Sequence, residues 1–265
     1  MDIISCLGPA GSYSEYAAKR FLNGKGRIVL CRNFAETVDA LLSGETDSAV
    51  IPIENSIRGG VLQNLDLLER SDVFAVEELV LPIDHRLAVK AGAELSEIKR
   101  VYSHEQAIGQ CAEFLRTRLP NAQCIFTSST AESLSKIDDT SAGIVGAHVR
   151  AEGVTLSEEN IADEKKNFTR FLRLVRRSGE CRRSGMIFLC AVLKHKPGSL
   201  YQLLRIFADH GKNLTRIESR PIRDVFGEYR FFIELEADLA DEKVGRMLEE
   251  ASGYCAQFKI LGAYR

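Results

Sequence analysis

Short apolar segments alternate with amphipathic helical patterns at the start of the chain, and this alternation constrains the fold more than any other feature. Residues 3–7, 27–31 and 48–53 have the composition of buried strands, and helical patterns beginning at Ser12 and at Phe34 separate them. Strand, helix and strand in succession predict a parallel α/β sheet. Ligands of such sheets bind beyond the carboxyl ends of the strands, so we look for a functional site in the loops that follow them.

The loop after the first strand, residues 8–12, has the glycine and proline content of a turn and leads into a helix. Ser12 and Glu15 have the spacing of a capping box. Free N–H groups and the helix dipole would then face an anion in this loop, although a plain strand-to-helix turn fits the same residues. The glycine spacing matches neither G-x-G-x-x-G nor a P-loop, so we predict no nucleotide site.

The loop after the third strand, residues 54–60, is polar and ends in two glycines. Glu54, Asn55 and Ser56 lie where a ligand is expected, and Gly60 would allow close approach to the backbone. The alternative is that this loop only caps the helix predicted at residues 61–68.

A second α/β set follows two extended segments at residues 73–81 and 86–91. Its pattern predicts strands at residues 100–102, 123–127 and 142–145 and helices at residues 106–119, 131–137 and 147–152. Ser103, His104 and Gln106 join a strand to a helix at the same kind of edge as the earlier loops. A lone histidine is more often structural than catalytic, but His104 is better placed than the other histidines. Two such lobes would enclose a cleft, and a strand at residues 171–175 would cross back to the first lobe.

The segment from Asn167 to Phe171 combines an amide, a hydroxyl and a guanidinium with two aromatic rings. In an extended strand Asn167, Thr169 and Phe171 share one face and Arg170 lies on the other. Arg170 could still reach a cleft that Thr169 faces if the segment enters its strand through a bend, which the polar run before it allows. There it would hold a carboxylate by two parallel hydrogen bonds, and Thr169 would offer a neutral hydroxyl.

Composition excludes several classes of protein. The chain has 265 residues and a net charge of -2, so it has no basic field for nucleic acid. Its seven cysteines contain no C-x-x-C pair, and we expect them to be small buried hydrophobes in a reducing compartment, with no metal or disulfide needed for stability. We see no signal peptide and no apolar run of the roughly 18 residues that a membrane span needs, and we expect a cytoplasmic protein.

The tail is set apart by a polar linker at residues 178–185. Beyond it the pattern predicts strands at residues 186–193, 214–220, 228–236 and 256–263 and helices at residues 200–210 and 241–251. The order β-α-β-β-α-β is the ferredoxin-like arrangement. Glu234 and Glu236 would face solvent on a half-covered antiparallel sheet, and the uncovered face would be a natural place for self-association.

The segments GPAGSYSEYAA, IPIENSIRGGV, YSHEQAIGQC and NFTRFLRL occur in the order and at about the spacing found in the prephenate dehydratase family, which the chain resembles over almost its whole length. The tail segments HKPGSL and LTRIESRP resemble its ACT regulatory domain. The resemblance implies an α/β fold with a two-lobed catalytic domain similar to type 2 periplasmic binding proteins, at residues 1–178, and a ferredoxin-like ACT domain at residues 185–265. The lobes would be residues 1–78 with 160–178, and residues 79–159.

The activity that the resemblance implies is conversion of prephenate to phenylpyruvate, with loss of carbon dioxide and water and without metal or cofactor. Thr169 would direct a hydrogen bond to the departing hydroxyl, and His104 or Glu54 would be the ultimate source of the proton. The residues carried over as catalytic are Asn167, Thr169 and Arg170; those carried over as substrate-binding are Ser12, Glu54, Asn55, Ser56, Gly60, Ser103, His104, Gln106 and Phe171.

The ACT domain would bind phenylalanine between paired domains as end-product inhibition, in a homodimer or homotetramer. The residues that would line this site are Pro197, Gly198, Ser199, Leu200, Glu218, Ser219, Arg220 and Pro221. Without the family context, the first four predict only a helix start and the last four a strand that stops at proline.

The chain departs from the family pattern at three positions: Ser12 stands in place of threonine, Glu105 in place of proline and Ser199 in place of alanine. Losing the proline at position 105 could loosen the loop that holds His104 and Gln106. Two rival functions remain open, an arogenate dehydratase and a non-catalytic amino-acid sensor. No chorismate mutase segment precedes the first strand, so we expect one activity.

Overall fold

The computed structural model describes residues 1–128, 132–176, 184–222 and 227–265. Residues 178–183 of the predicted linker, which include Cys181, lie outside these residues. The helices are α1 Tyr13–Leu22, α2 Phe34–Leu42, α3 Leu62–Arg70, α4 Glu105–Gly109, α5 Ala112–Arg118, α6 Ser199–Asp209 and α7 Glu242–Gly253. The strands are β1 Ile3–Leu7, β2 Arg27–Cys31, β3 Ser48–Asn55, β4 Gly59–Gly60, β5 Val73–Pro82, β6 His85–Lys90, β7 Arg100–Ser103, β8 Gln123–Phe126, β9 Ser141–Gly146, β10 Val154–Leu156, β11 Phe168–Arg176, β12 Met186–Leu193, β13 Leu214–Pro221, β14 Tyr229–Glu236 and β15 Cys255–Tyr264.

The strands of the first lobe belong to a large mixed sheet. Strands β1, β2 and β3 are parallel, as the alternation of strand and helix predicts. Strand β11 returns to this sheet and runs antiparallel between β3 and β5. Apolar side chains such as Ile51, Leu65 and Leu172 are fully buried between the sheet and its helices, so burial fixes which side of each strand faces the core.

A five-stranded sheet in the order β10-β6-β9-β7-β8 forms the second lobe. The sequence pattern predicted the helices of this lobe less accurately than those of the first lobe. The helix predicted at residues 106–119 is divided into α4 and α5, because Asp163 intervenes: its N–H bonds to the Gln110 carbonyl at 2.7 Å and its carboxylate accepts the Glu113 N–H at 3.1 Å. The helix predicted at residues 147–152 does not form, and the one predicted at residues 131–137 is a short 3-10 helix at Glu132–Lys136, with residue 131 outside the described part.

The tail has the predicted β-α-β-β-α-β order, with α6 and α7 packed on one face of its four strands. Its sheet is continuous with that of the first lobe, because β15 pairs with β5 at Gly262 and Ala75. The backbones approach closely there. A Cβ on Gly262 would lie 2.5 Å from the Ala75 Cβ, which is closer than two carbon atoms can pack.

The other face of the tail sheet packs against the catalytic part of the chain. Phe188 of β12 and Phe232 of β14 share a buried cluster with Leu65 and Leu68 of α3. This corrects two expectations, because that part of the face is not uncovered and Glu234, predicted to face solvent, is 2% exposed. Glu236 is exposed as predicted.

Six cysteines in the described residues are free, and Cys6, Cys111, Cys190 and Cys255 are buried. Burial raises the pKa of the Cys6, Cys111 and Cys190 thiols to about 12, so these residues act as apolar packing. The described residues contain no group of three or more histidine, cysteine or acidic side chains arranged to hold a metal ion. No helix among them is both long and apolar enough to span a membrane.

Candidate active site

A cavity of about 360 Å³ lies where the two lobes meet. The loops after β1 and β3, the start of β11 and the helix starts of the second lobe all contribute to its wall. Its lining residues are Leu7, Gly8, Pro9, Ser12, Tyr13, Ser14, Phe34, Pro52, Asn55, Ile83, His85, His104, Gln106, Ala107, Gln110, Ser128, Asn167, Thr169 and Phe171. Seven residues predicted to contact a substrate are therefore brought together: Ser12, Asn55, His104, Gln106, Asn167, Thr169 and Phe171.

Asn55 and Thr169 are the central polar pair of this cavity. The side-chain amide of Asn55 donates to the Thr169 hydroxyl oxygen at 3.0 Å and to the Asn167 side-chain oxygen at 2.7 Å. Because the Thr169 oxygen accepts this hydrogen bond, its own proton points elsewhere, and it has no acceptor among the described residues. The Thr169 hydroxyl is therefore free to donate to a bound molecule.

Asn55 is itself held rigidly. Its side-chain oxygen accepts the backbone N–H groups of Ile57 and Arg58, each at 3.1 Å. This turn fixes the orientation of the amide, so the donor that faces Thr169 is preorganised. Ser56 was predicted to bind substrate, but it does not line the cavity. Its hydroxyl accepts the Phe168 N–H at 2.9 Å and thereby ties the loop to β11.

The start of α1 gives the cavity two backbone donors. The predicted N-cap is present, since the Ser12 hydroxyl accepts the Glu15 N–H at 3.2 Å, and the Glu15 carboxylate in turn accepts the Gly11 N–H. The N–H groups of Tyr13 and Ser14 have no hydrogen-bond partner in the described part of the chain. They lie at the positive end of the helix dipole, where an anion is stabilised.

His104 and Gln106 are the exposed polar residues that the second lobe brings to the cavity. His104 is the N-cap of α4, where its Nδ1 accepts the Gln106 N–H at 3.2 Å. Ser103, predicted to contact substrate, is buried and donates to the Ile144 carbonyl at 2.8 Å, outside the cavity.

His85 lines the same cavity and was not singled out from the sequence. It is 4% exposed, its Nε2 lies 2.8 Å from the Gln110 side-chain oxygen, and burial lowers its pKa. It is therefore neutral near pH 7. The available signal was its position three residues after β5, which ends at Pro82, because polar residues near strand ends were the ones predicted to face the cleft.

Arg170 is not the carboxylate clamp that the sequence suggested. Strand alternation holds through this segment, so Arg170 points to the face opposite Thr169. It forms two 2.7 Å hydrogen bonds with Glu234 of the tail, and it also bonds to Glu54 at 3.0 Å and Glu78 at 3.3 Å. Burial alone would lower its pKa, but the Glu234 carboxylate raises the pKa above its usual value, so the guanidinium stays charged.

Two more predicted residues lie on that opposite face. The Glu54 carboxylate bonds to Arg170 and lies 3.7 Å from Arg216, so it is not a proton source inside the cavity. Gly60 packs against the tail, since a Cβ there would lie 2.5 Å from the Arg216 guanidinium. Among the described residues that line the cavity, none is lysine or arginine.

The tail carries a separate hollow of about 260 Å³ next to the start of α6. Gly198, Ser199 and Leu200 line it together with Tyr201, Tyr229 and Phe231. Pro197, Glu218, Ser219, Arg220 and Pro221 do not line it within this chain. Glu218 pairs with Arg216, and Arg220 pairs with Asp66 of α3 at 2.8 Å. Residues 218–221 belong to β13, which β14 separates from β12 in the sheet.

Two family models match the chain. The model for prephenate dehydratase matches residues 4–179, and the model for the ACT domain matches residues 190–251. The bifunctional chorismate mutase/prephenate dehydratase of Aquifex aeolicus is 34% identical over 98% of this chain and 73% of its own length. The prephenate dehydratase of Amycolatopsis methanolica is 32% identical over all of this chain and 88% of its own.

The fold has close counterparts among solved structures. The prephenate dehydratase of Arthrobacter aurescens in complex with L-Phe superposes with a TM-score of 0.87 and is 31% identical, with 99% of this chain and 89% of that chain covered. The similarity therefore includes both the two-lobed part and the tail.

Proposed function

The chain belongs to the prephenate dehydratase family, and on that premise we propose that it converts prephenate to phenylpyruvate, carbon dioxide and water in the cavity around Thr169. The observation that carries this proposal is the Asn55–Thr169 pair. Asn55 occupies the acceptor side of the hydroxyl at 3.0 Å, which leaves the hydroxyl proton for a substrate oxygen. Phe34, Ile83 and Phe171 supply apolar walls for a ring.

The reaction breaks two bonds and needs one proton. The bond between the ring and its carboxylate breaks, its electron pair moves into the ring, and carbon dioxide leaves. The bond between the ring and the hydroxyl oxygen breaks, and the oxygen keeps that electron pair and takes up a proton to leave as water. The Thr169 hydroxyl donates a hydrogen bond that strengthens as charge develops on the leaving oxygen.

The proton itself is assigned to His104. Of the two sources that the sequence left open, His104 lines the cavity, whereas Glu54 is paired with Arg170 behind it. His104 accepts the Gln106 N–H through Nδ1 while its ring is neutral. To act as an acid without leaving an anionic ring, it first takes up a second proton on Nδ1, which breaks that hydrogen bond, and then delivers the Nε2 proton. In this assignment Thr169 orients the departing oxygen by a hydrogen bond, and His104 gives the proton with which that oxygen leaves as water.

Carboxylate recognition is assigned to backbone and neutral groups. The Tyr13 and Ser14 N–H groups at the start of α1 and the Gln106 amide replace the arginine clamp expected from the sequence. Backbone N–H groups at a helix start bind carboxylates without a charged side chain.

The test is ultraviolet detection of phenylpyruvate after purified protein is mixed with prephenate. Thr169→Ala is expected to fold normally and to lose roughly 10² to 10³ in kcat, the range for removing one preorganised donor, and Thr169→Ser should retain most of the activity. Full activity in Thr169→Ala would remove this residue from the mechanism. Faster turnover of arogenate than of prephenate would favour an arogenate dehydratase, and binding without turnover a sensor.

We further propose phenylalanine as an inhibitor bound at the tail. The Arthrobacter relative is described in complex with L-Phe, and the hollow beside Gly198 has matching chemistry. The Leu200 and Tyr201 N–H groups at the start of α6 have no hydrogen-bond partner among the described residues, and Tyr229 and Phe231 offer aromatic surface. Loss of activity on adding phenylalanine, together with saturable binding by calorimetry, is the expected result.

The remaining parts of the proposal concern assembly and location. Domain limits at residues 1–178 and 185–265, a homodimer or homotetramer, and a cytoplasmic location fit a biosynthetic enzyme with a ligand site between paired ACT domains. In such an assembly, residues 218–221 of one chain would complete the hollow beside Gly198 of another. Light scattering with and without phenylalanine tests the assembly, and a monomer under both conditions would contradict it.

A further inference from the structure

An ion-pair cluster that is buried on its tail side joins the tail to the back of the active-site strands. Its members are Glu54, Glu78, Arg170, Arg216 and Glu234, which we call the interdomain cluster. Glu234 bonds to Arg170 at 2.7 Å, Arg216 lies 3.9 Å from Glu234 and 3.7 Å from Glu54, and the side chains of Glu234 and Arg216 are 2% and 8% exposed. Charges this far from water have a large effect on local structure when one partner is removed.

The cluster lies directly behind the catalytic pair. Glu54 and Arg170 face each other across β3 and β11, and the next registered pair is Asn55 with Thr169. Because neighbouring residues of a strand point to opposite faces, the same two strands carry the Asn55–Thr169 hydrogen bond on one side and the Glu54–Arg170 ion pair on the other. Any shift of Arg170 relative to Glu54 therefore also moves Thr169 relative to Asn55.

The backbone pairing is irregular directly beside this position. The register of β11 against β3 slips between Arg170 and Phe171, where Phe171 pairs with Pro52 and leaves Ile53 as an extra residue. Pro52 also lacks an N–H group to donate to the ladder. At the end of β3 that carries Asn55, side-chain contacts must therefore supply part of the restraint that a regular ladder would give.

A second contact reaches the other end of the same loop. A Cβ on Gly60 would lie 2.5 Å from the Arg216 Nη2 and would also meet the Glu218 carboxylate. Asn55 accepts its two backbone hydrogen bonds from within this loop. Side chains of β13 thus lie against the Gly60 end of this loop, and its Asn55 end follows directly after Glu54 of the cluster.

We propose that Glu234 and Arg216 of the tail are positioning residues for the dehydratase reaction, acting through Arg170 and Glu54 to hold Asn55 against Thr169. This rests on the proposed function for the reaction and goes beyond it in assigning part of the catalytic geometry to the ACT domain. The tail then supports catalysis in the absence of any effector. A change in the position of β13 or β14 is transmitted to Thr169 through a single pair of strands.

The experiment compares Glu234→Gln with Arg230→Gln in the full-length protein. Arg230 is the matched control, because it forms an ion pair with Glu69 of α3 across the same domain boundary, and its side chain has no hydrogen bond or ion pair to β3 or β11 among the described residues. Glu234→Gln is expected to lower kcat roughly tenfold to a hundredfold, as small misplacements of catalytic groups do, with KM within a few-fold of wild type. Arg230→Gln should keep both constants, and Glu234→Asp, which retains the charge, should recover part of kcat.

Two further measurements decide the proposal independently. Hydrogen exchange of the peptide spanning residues 54–60 is expected to be faster in Glu234→Gln and unchanged in Arg230→Gln, and this readout holds even if the protein does not turn over prephenate. If Glu234→Gln does not fold, Glu54→Gln breaks the same cluster from a side chain that is 42% exposed and should give the same loss. A folded variant of either kind with wild-type kcat and wild-type exchange at residues 54–60 overturns the proposal.

Discussion

The side-chain amide of Asn55 donates a hydrogen bond of 3.0 Å to the hydroxyl oxygen of Thr169, which lies 114 residues further along the chain. A donor in this position sets the direction of the Thr169 proton. Replacing the amide by a carboxylate of the same shape would reverse that direction, because Thr169 would then donate to residue 55.

We therefore expect Asn55→Asp to lose roughly 10² to 10³ in kcat, the range for removing one preorganised donor. The free energy of unfolding should also fall, because a carboxylate cannot donate to the Asn167 side-chain oxygen at 2.7 Å or to the Phe168 carbonyl at 3.1 Å, as Asn55 does. The new carboxylate still accepts the Ile57 and Arg58 N–H groups that Asn55 accepts at 3.1 Å, so the turn is kept. The checks are kcat for prephenate and the denaturant midpoint. Retention of wild-type kcat would show that the orientation of Asn55 does not matter.

The cavity was largely predictable because it forms at strand ends. Ser12, Asn55 and His104 each follow an apolar strand of an α/β lobe, and the carboxyl ends of such strands share an edge. Periodicity of two also predicted that Thr169 and Phe171 share a face. These inferences needed only local sequence.

Arg170 shows what local sequence could not supply. The strand pattern placed it behind Thr169, but the need for a cation in the cavity favoured a bend that the structure does not contain. Its actual partner, Glu234, is 64 residues away in the tail, and an apparently solvent-facing glutamate gave no indication that the tail docks there. His85 was missed because a histidine that is buried after a strand looks the same in sequence as a core residue.

Gly262 permits the close contact that makes the two sheets continuous. Gly262→Ala places a Cβ 2.5 Å from the Ala75 Cβ and 2.8 Å from its carbonyl oxygen, so the strands must separate. We expect a loss of about 1 to 3 kcal/mol in the free energy of unfolding, as for other overpacked positions. Denaturant unfolding measures it.

Gly253→Ala is the control for that substitution. A Cβ on Gly253 meets nothing within 4 Å, so its effect should stay within about 0.5 kcal/mol of wild type, as for surface substitutions generally. If the two alanine variants unfold at the same denaturant concentration, close packing at Gly262 does not hold the sheets together.

Two histidines should make stability depend on pH. Burial lowers the pKa of His85 and also that of His148, which stacks on Tyr16 with ring centroids 4.5 Å apart. Below the ordinary histidine value of 6.5, the unfolded chain binds protons that the folded chain does not. The free energy of unfolding should therefore fall as the pH drops below about 6.5, by up to about 1.4 kcal/mol per pH unit for each proton.

Unfolding measured between pH 7.5 and 5.5 checks this dependence before most carboxylates titrate. His148→Phe keeps an aromatic ring against Tyr16 and removes one titrating group, so the slope should be shallower in that variant. The Glu15 and Lys19 charges that act on His148 are unchanged by the substitution. An identical slope in both proteins would mean that His148 is not protonated differently in the folded and unfolded states.

His104→Asn separates the proton source from the helix cap. Asparagine accepts N–H groups at an N-cap as well as any residue, so the hydrogen bond that Gln106 now donates to His104 at 3.2 Å can be kept, while the imidazole ring is lost. If His104 supplies the proton, His104→Asn therefore loses activity although the start of α4 is unchanged. General acid catalysis contributes about 10² to 10⁴, so kcat should drop by up to that factor at the pH optimum. Glu54→Gln is the comparison, because it should lower kcat only through the interdomain cluster, with faster hydrogen exchange at residues 54–60. His104→Asn should leave that exchange unchanged. A larger loss of kcat in Glu54→Gln than in His104→Asn, with unchanged exchange at residues 54–60, would return the role of proton source to Glu54.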